Sequence, residues 1–249
     1  MHVMFALPHY TLLALVFAMN LLGSAIQAAS GFGHGIFVMS VLPFFLPYNE
    51  ALCSTGIVAI ATAVSIVLKH RGHIRLKLIS LPLLGYFAAS AAGTYFLKSQ
   101  PDGTLKQILG GFLVVLSIYL MRFNDKVRIR ASTLTGLSAG GLSGVLGSLF
   151  GMSGPPIVVY LLSAAGTTAA YIANIQIYFV CTNVYISFVR LASGMMNAHV
   201  AAYTAAGGLG VFWGSKLGHS LFSKLDAKSL RMTVYAFMIA MGVLMLATA

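Results

Sequence analysis

The chain has 249 residues, of which 59% are hydrophobic and 8% charged. With a mean hydropathy of +0.91 and four acidic residues (Glu50, Asp102, Asp125, Asp226), it is excluded from the water-soluble globular class, which carries roughly a quarter charged residues. The formal net charge of +11 sits in short loops between apolar runs, which matches the positive-inside bias of membrane proteins and argues against nucleic acid as a partner.

A spanning helix needs about 20 mostly apolar residues. In chain order such runs fall at about 9–29, 51–68, 78–97, 105–121, 132–150, 170–189, 200–222 and 230–247. Residues 12–22 with Ser24-Ala25-Ile26-Gln27-Ala28 have the shape of a signal h-region and cleavage site. No Lys or Arg precedes them, however, and the next apolar run starts within ten residues, so a retained first helix is expected. Two more runs, 36–46 and 156–165, are too short to cross as straight helices. The first follows Ser30-Gly31-Phe32-Gly33-His34-Gly35, the second Gly151-Met152-Ser153-Gly154-Pro155-Pro156. The expected fold is therefore an all-α polytopic membrane protein, with about eight long transmembrane helices and two short broken half-helices.

Break, short run and long helix recur in the same order about 120 residues apart, and Leu105-Lys106 and Leu230-Arg231 stand alike before the last span of each half. This predicts two repeats, 1–121 and 132–249, joined by a linker at 122–131. The basic clusters are Lys69, Arg71, Arg75, Lys77; Lys98, Lys106; Arg122, Lys126, Arg128, Arg130; Arg190; and Lys216, Lys224, Lys228, Arg231. Inverted halves put twelve of these inside and three outside, whereas parallel halves put nine on one side and six on the other. The bias predicts inverted repeats, with both short runs contributing to crossing, a cytoplasmic linker and both termini outside.

Irregular backbone at membrane depth survives only against protein or a wet cavity. Pro155 and Pro156 lack N–H donors and suit a helix's first turn, so each break reads as the start of a half-helix. Such a start exposes unsatisfied amides and about half a positive charge. Two of them meeting near the midplane form an anion cradle. Gly31, Gly33, Gly35, Gly151, Gly154 and Pro155 shape it, and Ser30, Ser153 and Tyr160 add hydroxyl donors. His34 is expected to donate to the anion or to carry a coupling proton. Asn174 and Gln176, polar groups in an apolar span, complete the expected substrate site; Asn20, Gln27, Thr55 and Asn183 are weaker candidates. Arg190, alone on its loop, reads as a guard at an entrance or, in preference, as a snorkelling helix end. Small residues at such places also serve plain helix packing.

No Asp or Glu falls within a span, so a carboxylate proton relay or Na⁺ site is not expected. The chain has no Walker loop, HExxH or CxxC, and Cys53 and Cys181 lie in apolar spans. No enzyme activity, cofactor, metal or disulfide framework is expected.

At the two motifs, Ser30-Gly31-Phe32-Gly33-His34-Gly35 and Gly151-Met152-Ser153-Gly154-Pro155-Pro156, the chain resembles the TauE/SafE family of sulfite and organosulfonate exporters, also called the four-toluene-sulfonate uptake family. The resemblance implies a secondary transporter of a small sulfur-containing anion in the bacterial cytoplasmic membrane. Its partners would be the anion and membrane lipid, with room for a homodimer. An anion channel and a carrier for a non-sulfur organic acid are the alternatives.

Overall fold

The computed structural model describes residues 8–123, 130–221 and 227–248. Among these residues there are ten α-helices and no strand. They are α1 (His9–Ser30), α2 (His34–Val41), α3 (Tyr48–His70), α4 (Leu76–Lys98), α5 (Asp102–Phe123), α6 (Thr133–Phe150), α7 (Gly154–Ala164), α8 (Thr168–Ala192), α9 (Ala198–Leu221) and α10 (Ala227–Thr248). Six segments among the described residues are long and apolar enough to cross a membrane: His9–Ala28, Tyr48–His73, Leu76–Lys98, Asp102–Arg122, Thr133–Phe150 and Thr168–Ala192. α9 and α10, of 24 and 22 residues, cover the last two apolar runs. Residues 124–129 of the expected linker lie outside the described residues.

The short run expected at 36–46 is helical only to Val41, because Pro43 and Pro47 break it. A 3₁₀ turn (Leu42–Phe44) follows, and Pro47 then sets the extended backbone that starts α3. Both half-helices fold back on the helix before them. Asn20 Oδ1 lies 3.0 Å from His34 Nε2, although fourteen residues of straight helix would separate them by about 21 Å. Ser143 of α6 likewise donates to the carbonyl of Ser153, ten residues on. Left-handed glycines make the turns, Gly31 (φ 82°) and Gly33 (φ 111°) in the first and Gly151 (φ 69°) in the second, a region that costs L side chains strain.

The packing has a pattern. α1 packs on α9 and α4 on α6, α3 packs on α8, and α5 on α10. Counting five helices on turns α1–α9 into α6–α4 and leaves α3–α8 and α5–α10 unchanged. Glycine makes three of these seams. Gly210 and Gly214 lie against the carbonyls of Phe17 and Leu21, Gly140 and Gly144 against those of Pro82 and Tyr86, and Gly110 against that of Gly242. Lipid leaves no hydrophobic drive between helices, so close backbone approach supplies the attraction.

Candidate functional site

The two breaks meet tip to tip. A Cβ built on Gly35 would collide with the carbonyl oxygen of Gly151, so the first turn of α2 lies directly on the turn before α7. Beside this contact is a cavity of about 30 Å³, enough for at least one water-sized group. Residues of both breaks form one side of it: Gly33, Gly35, Gly151, Met152, Ser153 and Gly154. The other side is formed by two long helices, with Thr55, Gly56 and Ala59 from α3 and Phe179 and Asn183 from α8.

Neither half-helix start has a side-chain cap. The amides of His34, Gly35 and Ile36 open α2, where an intrahelical acceptor is lacking by construction. At α7 the prolines remove two of the donors, leaving Gly154 as the first amide. A second, independent feature marks the cavity as polar. Thr55 lines the cavity, and its hydroxyl is buried and has no hydrogen-bond partner. Most threonines in helices return their hydroxyl to a carbonyl a turn back, and a buried hydroxyl left unpaired costs about 1–3 kcal/mol. The Thr55 hydroxyl thus carries a proton that no protein acceptor takes up.

A larger opening, about 320 Å³, adjoins the cavity. Gln27 lines both. The opening lies at the basic end of α3, with Lys69 and His70 in its wall, together with Thr168 and Tyr171 of α8. Gln27 Nε2 donates to Gln176 Oε1 at 3.0 Å, and Gln176 Nε2 donates to the Gly31 carbonyl at 2.7 Å. The two amides fix the first break from behind, at the boundary between cavity and vestibule.

The other sequence-derived candidates are distributed as follows. Gly33, Gly35, Gly151, Ser153 and Gly154 line the cavity, as do the weaker candidates Gln27, Thr55 and Asn183. Gly31 lies in the vestibule wall. Pro155 is buried in the first turn of α7, and the Tyr160 ring faces Gly136 on α6. Ser30 ends α1, and its side chain lies outside the described residues. His34 is fully buried with its ring turned to α1: Asn20 Oδ1 can only accept, so Nε2 donates to it, while Nδ1 has no partner. Asn174 is a strut for the loop between α3 and α4. It donates to the carbonyls of His73 (3.2 Å) and Ala170 (2.7 Å) and accepts from the Arg75 amide (2.8 Å). Replacing it with alanine is expected to cost about 1–3 kcal/mol of stability, read as a lower melting temperature, with anion affinity unchanged.

Arg190 departs from the reading as a snorkelling end. It is 1% exposed, and its guanidinium turns inward to the Gly147 and Ser148 carbonyls at the negative, C-terminal end of α6, the first of which also receives the Gly151 amide. A lone basic residue near a helix end gives no sequence sign of this, because the acceptors come from distant main chain. Gly56, Ala59 and Phe179 were equally silent, being apolar residues in apolar runs.

The fold and cavity thus define a multi-pass helical membrane protein with a small polar chamber buried between two broken helices. The family model described as Sulfite exporter TauE/SafE matches residues 15–245, and the chain belongs to that family. It is accordingly a transporter and not an enzyme. No curated protein and no solved structure matches the chain.

Proposed function

We propose that the protein is a secondary carrier that exports a small oxyanion, sulfite or an organosulfonate, across the bacterial cytoplasmic membrane, binding it in the cavity between α2 and α7. The observation that carries this reading is the Thr55 hydroxyl, buried and unpartnered, on a residue that lines the same cavity as the uncapped start of α2. Amide donors and a free hydroxyl favour an acceptor-rich, negatively charged guest. Glycines in both breaks allow it to approach the main chain closely.

The eight long helices cross the bilayer, α2 and α7 contribute a fifth crossing in each half, and residues 1–121 and 132–249 are therefore inverted repeats. The packing pairs that exchange on counting five helices support this, as do the basic residues gathered at the vestibule end of α3. The vestibule then opens to the cytoplasm, and the carrier alternates between this state and one open outside. Export of an anion from a negative interior runs with the potential, at about 2.3 kcal/mol per charge per 100 mV.

The experiment is sulfite flux in proteoliposomes under an imposed potential. Saturable flux that follows the potential and shows counterflow is expected. Flux that never saturates and shows no counterflow identifies a channel, and absence of flux for sulfite and sulfonates alike removes the reading. His34 enters through the same assay. As the coupling group it would make flux pH-dependent, and His34→Gln would flatten the profile; a His34→Gln profile identical to wild type assigns coupling elsewhere.

A further inference from the structure

Arg190 is the one buried cation among the described residues, and the cradle described above does not use it. Nη1 donates to the Leu52 carbonyl of α3 at 3.1 Å. Nη2 donates to the Gly147 and Ser148 carbonyls of α6, each at 3.1 Å, and Nε has no partner. None of these partners is a carboxylate. A guanidinium taken out of water and given only neutral acceptors is poorly compensated. Yet it stands immediately behind the cavity wall. A Cβ on Gly56, which lines the cavity, would lie 2.9 Å from Nη1 and 3.9 Å from Asn183 Oδ1.

These bonds belong to a closed end of the bundle, opposite the vestibule. There the Tyr48 hydroxyl donates to the Leu149 carbonyl at 2.6 Å and the Cys53 thiol points to the Met195 carbonyl at 3.8 Å. Lys98 Nζ donates to the Ser193 carbonyl, and Asn197 Nδ2 to Glu50, both at 2.8 Å. Of these ties, only Arg190 reaches from the closed end to the back of the cavity. It lies against the cavity wall on one side and ties α3 and α6 to α8 on the other.

We infer that Arg190 is the gate residue on the side away from the vestibule, and that an anion in the cavity opens this gate by drawing the guanidinium off its three carbonyls. The inference rests on the cavity being an anion site. A full negative charge across a glycine wall in low dielectric competes well with neutral carbonyls. A ligand shifts a conformational balance only through its differential affinity for the two states, and here the difference is the freed guanidinium. An empty carrier stays shut on that side, so the gate opens only behind cargo.

Cys53 is the reporter, being 1% exposed and placed at the closed end. In full-length protein carrying Cys181→Ser, its labelling rate by a charged maleimide is measured with and without methanesulfonate, an anion inert to the reagent. Arg190→Gln is expected to speed labelling about tenfold or more in the absence of anion, as expected when charge-assisted bonds are lost, with Arg190→Lys intermediate. Methanesulfonate is expected to speed labelling with Arg190 present and to have no effect in Arg190→Gln. Unchanged labelling in a folded Arg190→Gln protein overturns the gate. An anion that raises the melting temperature yet leaves Cys53 protected overturns its coupling to cargo. An anion that neither binds nor is transported counts against the cavity reading alone, and the anion-free comparison still tests the gate. Should both Arg190 variants fail to fold, Met195→Cys with native Cys53 serves instead. Joining the two thiols by a short bifunctional thiosulfonate is expected to arrest transport until reduction, and undiminished transport after joining refutes the gate.

Discussion

Gly35→Ala is expected to abolish transport. The added methyl would collide with the Gly151 carbonyl oxygen, and a Cβ and a carbonyl oxygen are both fixed by the main chain and cannot rotate aside. Relief requires the hairpin of α1 and α2 to draw away from that of α6 and α7, opening the contact on which the cavity depends. Overpacking of a rigid site costs about 1–3 kcal/mol and sometimes more, and a displacement of about an ångström at a binding centre costs about a hundredfold in rate. Flux below about 1% of wild type, with the protein still monodisperse and helical by circular dichroism, is the expected pair of results. Gly154→Ala is the control. A Cβ there meets Phe32 and Phe179 at 3.6 and 3.7 Å, ordinary contact distances, so alanine at this position should fold well and transport measurably. Equal flux from the two variants would mean that the meeting of the breaks does not set transport.

Thr55→Val separates binding from folding. Valine keeps the shape and removes the hydroxyl. Because that hydroxyl has no partner in the protein, its loss is expected to leave the melting temperature unchanged or higher, avoiding about 1–3 kcal/mol of unpaired desolvation. A hydrogen bond to a charged guest is worth about 1.5–3 kcal/mol, so anion affinity should fall roughly ten- to hundredfold. Isothermal titration with sulfite and thermal melting of the two proteins give both numbers. Intact affinity would remove Thr55 from the site. Lost stability would mean that the hydroxyl has a protein partner in the folded state.

The spans and the breaks were legible because they depend on local chemistry. Long apolar runs with few charges have one stable solution in lipid, and glycine or proline at their ends has few roles other than turning the chain. Thr55 and Asn183 were visible as polar groups in apolar runs, but nothing in their neighbourhood distinguished them from Asn174, which supports a loop. Which way a side chain points is a tertiary fact. His34 sits between Gly33 and Gly35, both in the cavity wall, yet its ring turns to Asn20. Arg190 was furthest from its sequence reading, because its acceptors are main-chain carbonyls 42, 43 and 138 residues away. Main-chain acceptors carry no residue-type signature.

One side of the chamber is built on the glycine-rich breaks and the other on two long helices, and this division limits how the protein can change its cargo. Mutation cannot alter the identity of an amide, and a glycine pressed against a carbonyl tolerates no replacement, so the breaks are constant parts common to any guest. Ala59, Phe179 and Asn183 are under no such restriction. Enlarging, emptying or recharging that opposite face would retune selectivity while the frame stays as it is. Relatives handling different anions should therefore differ on the α3 and α8 wall and agree at the two turns.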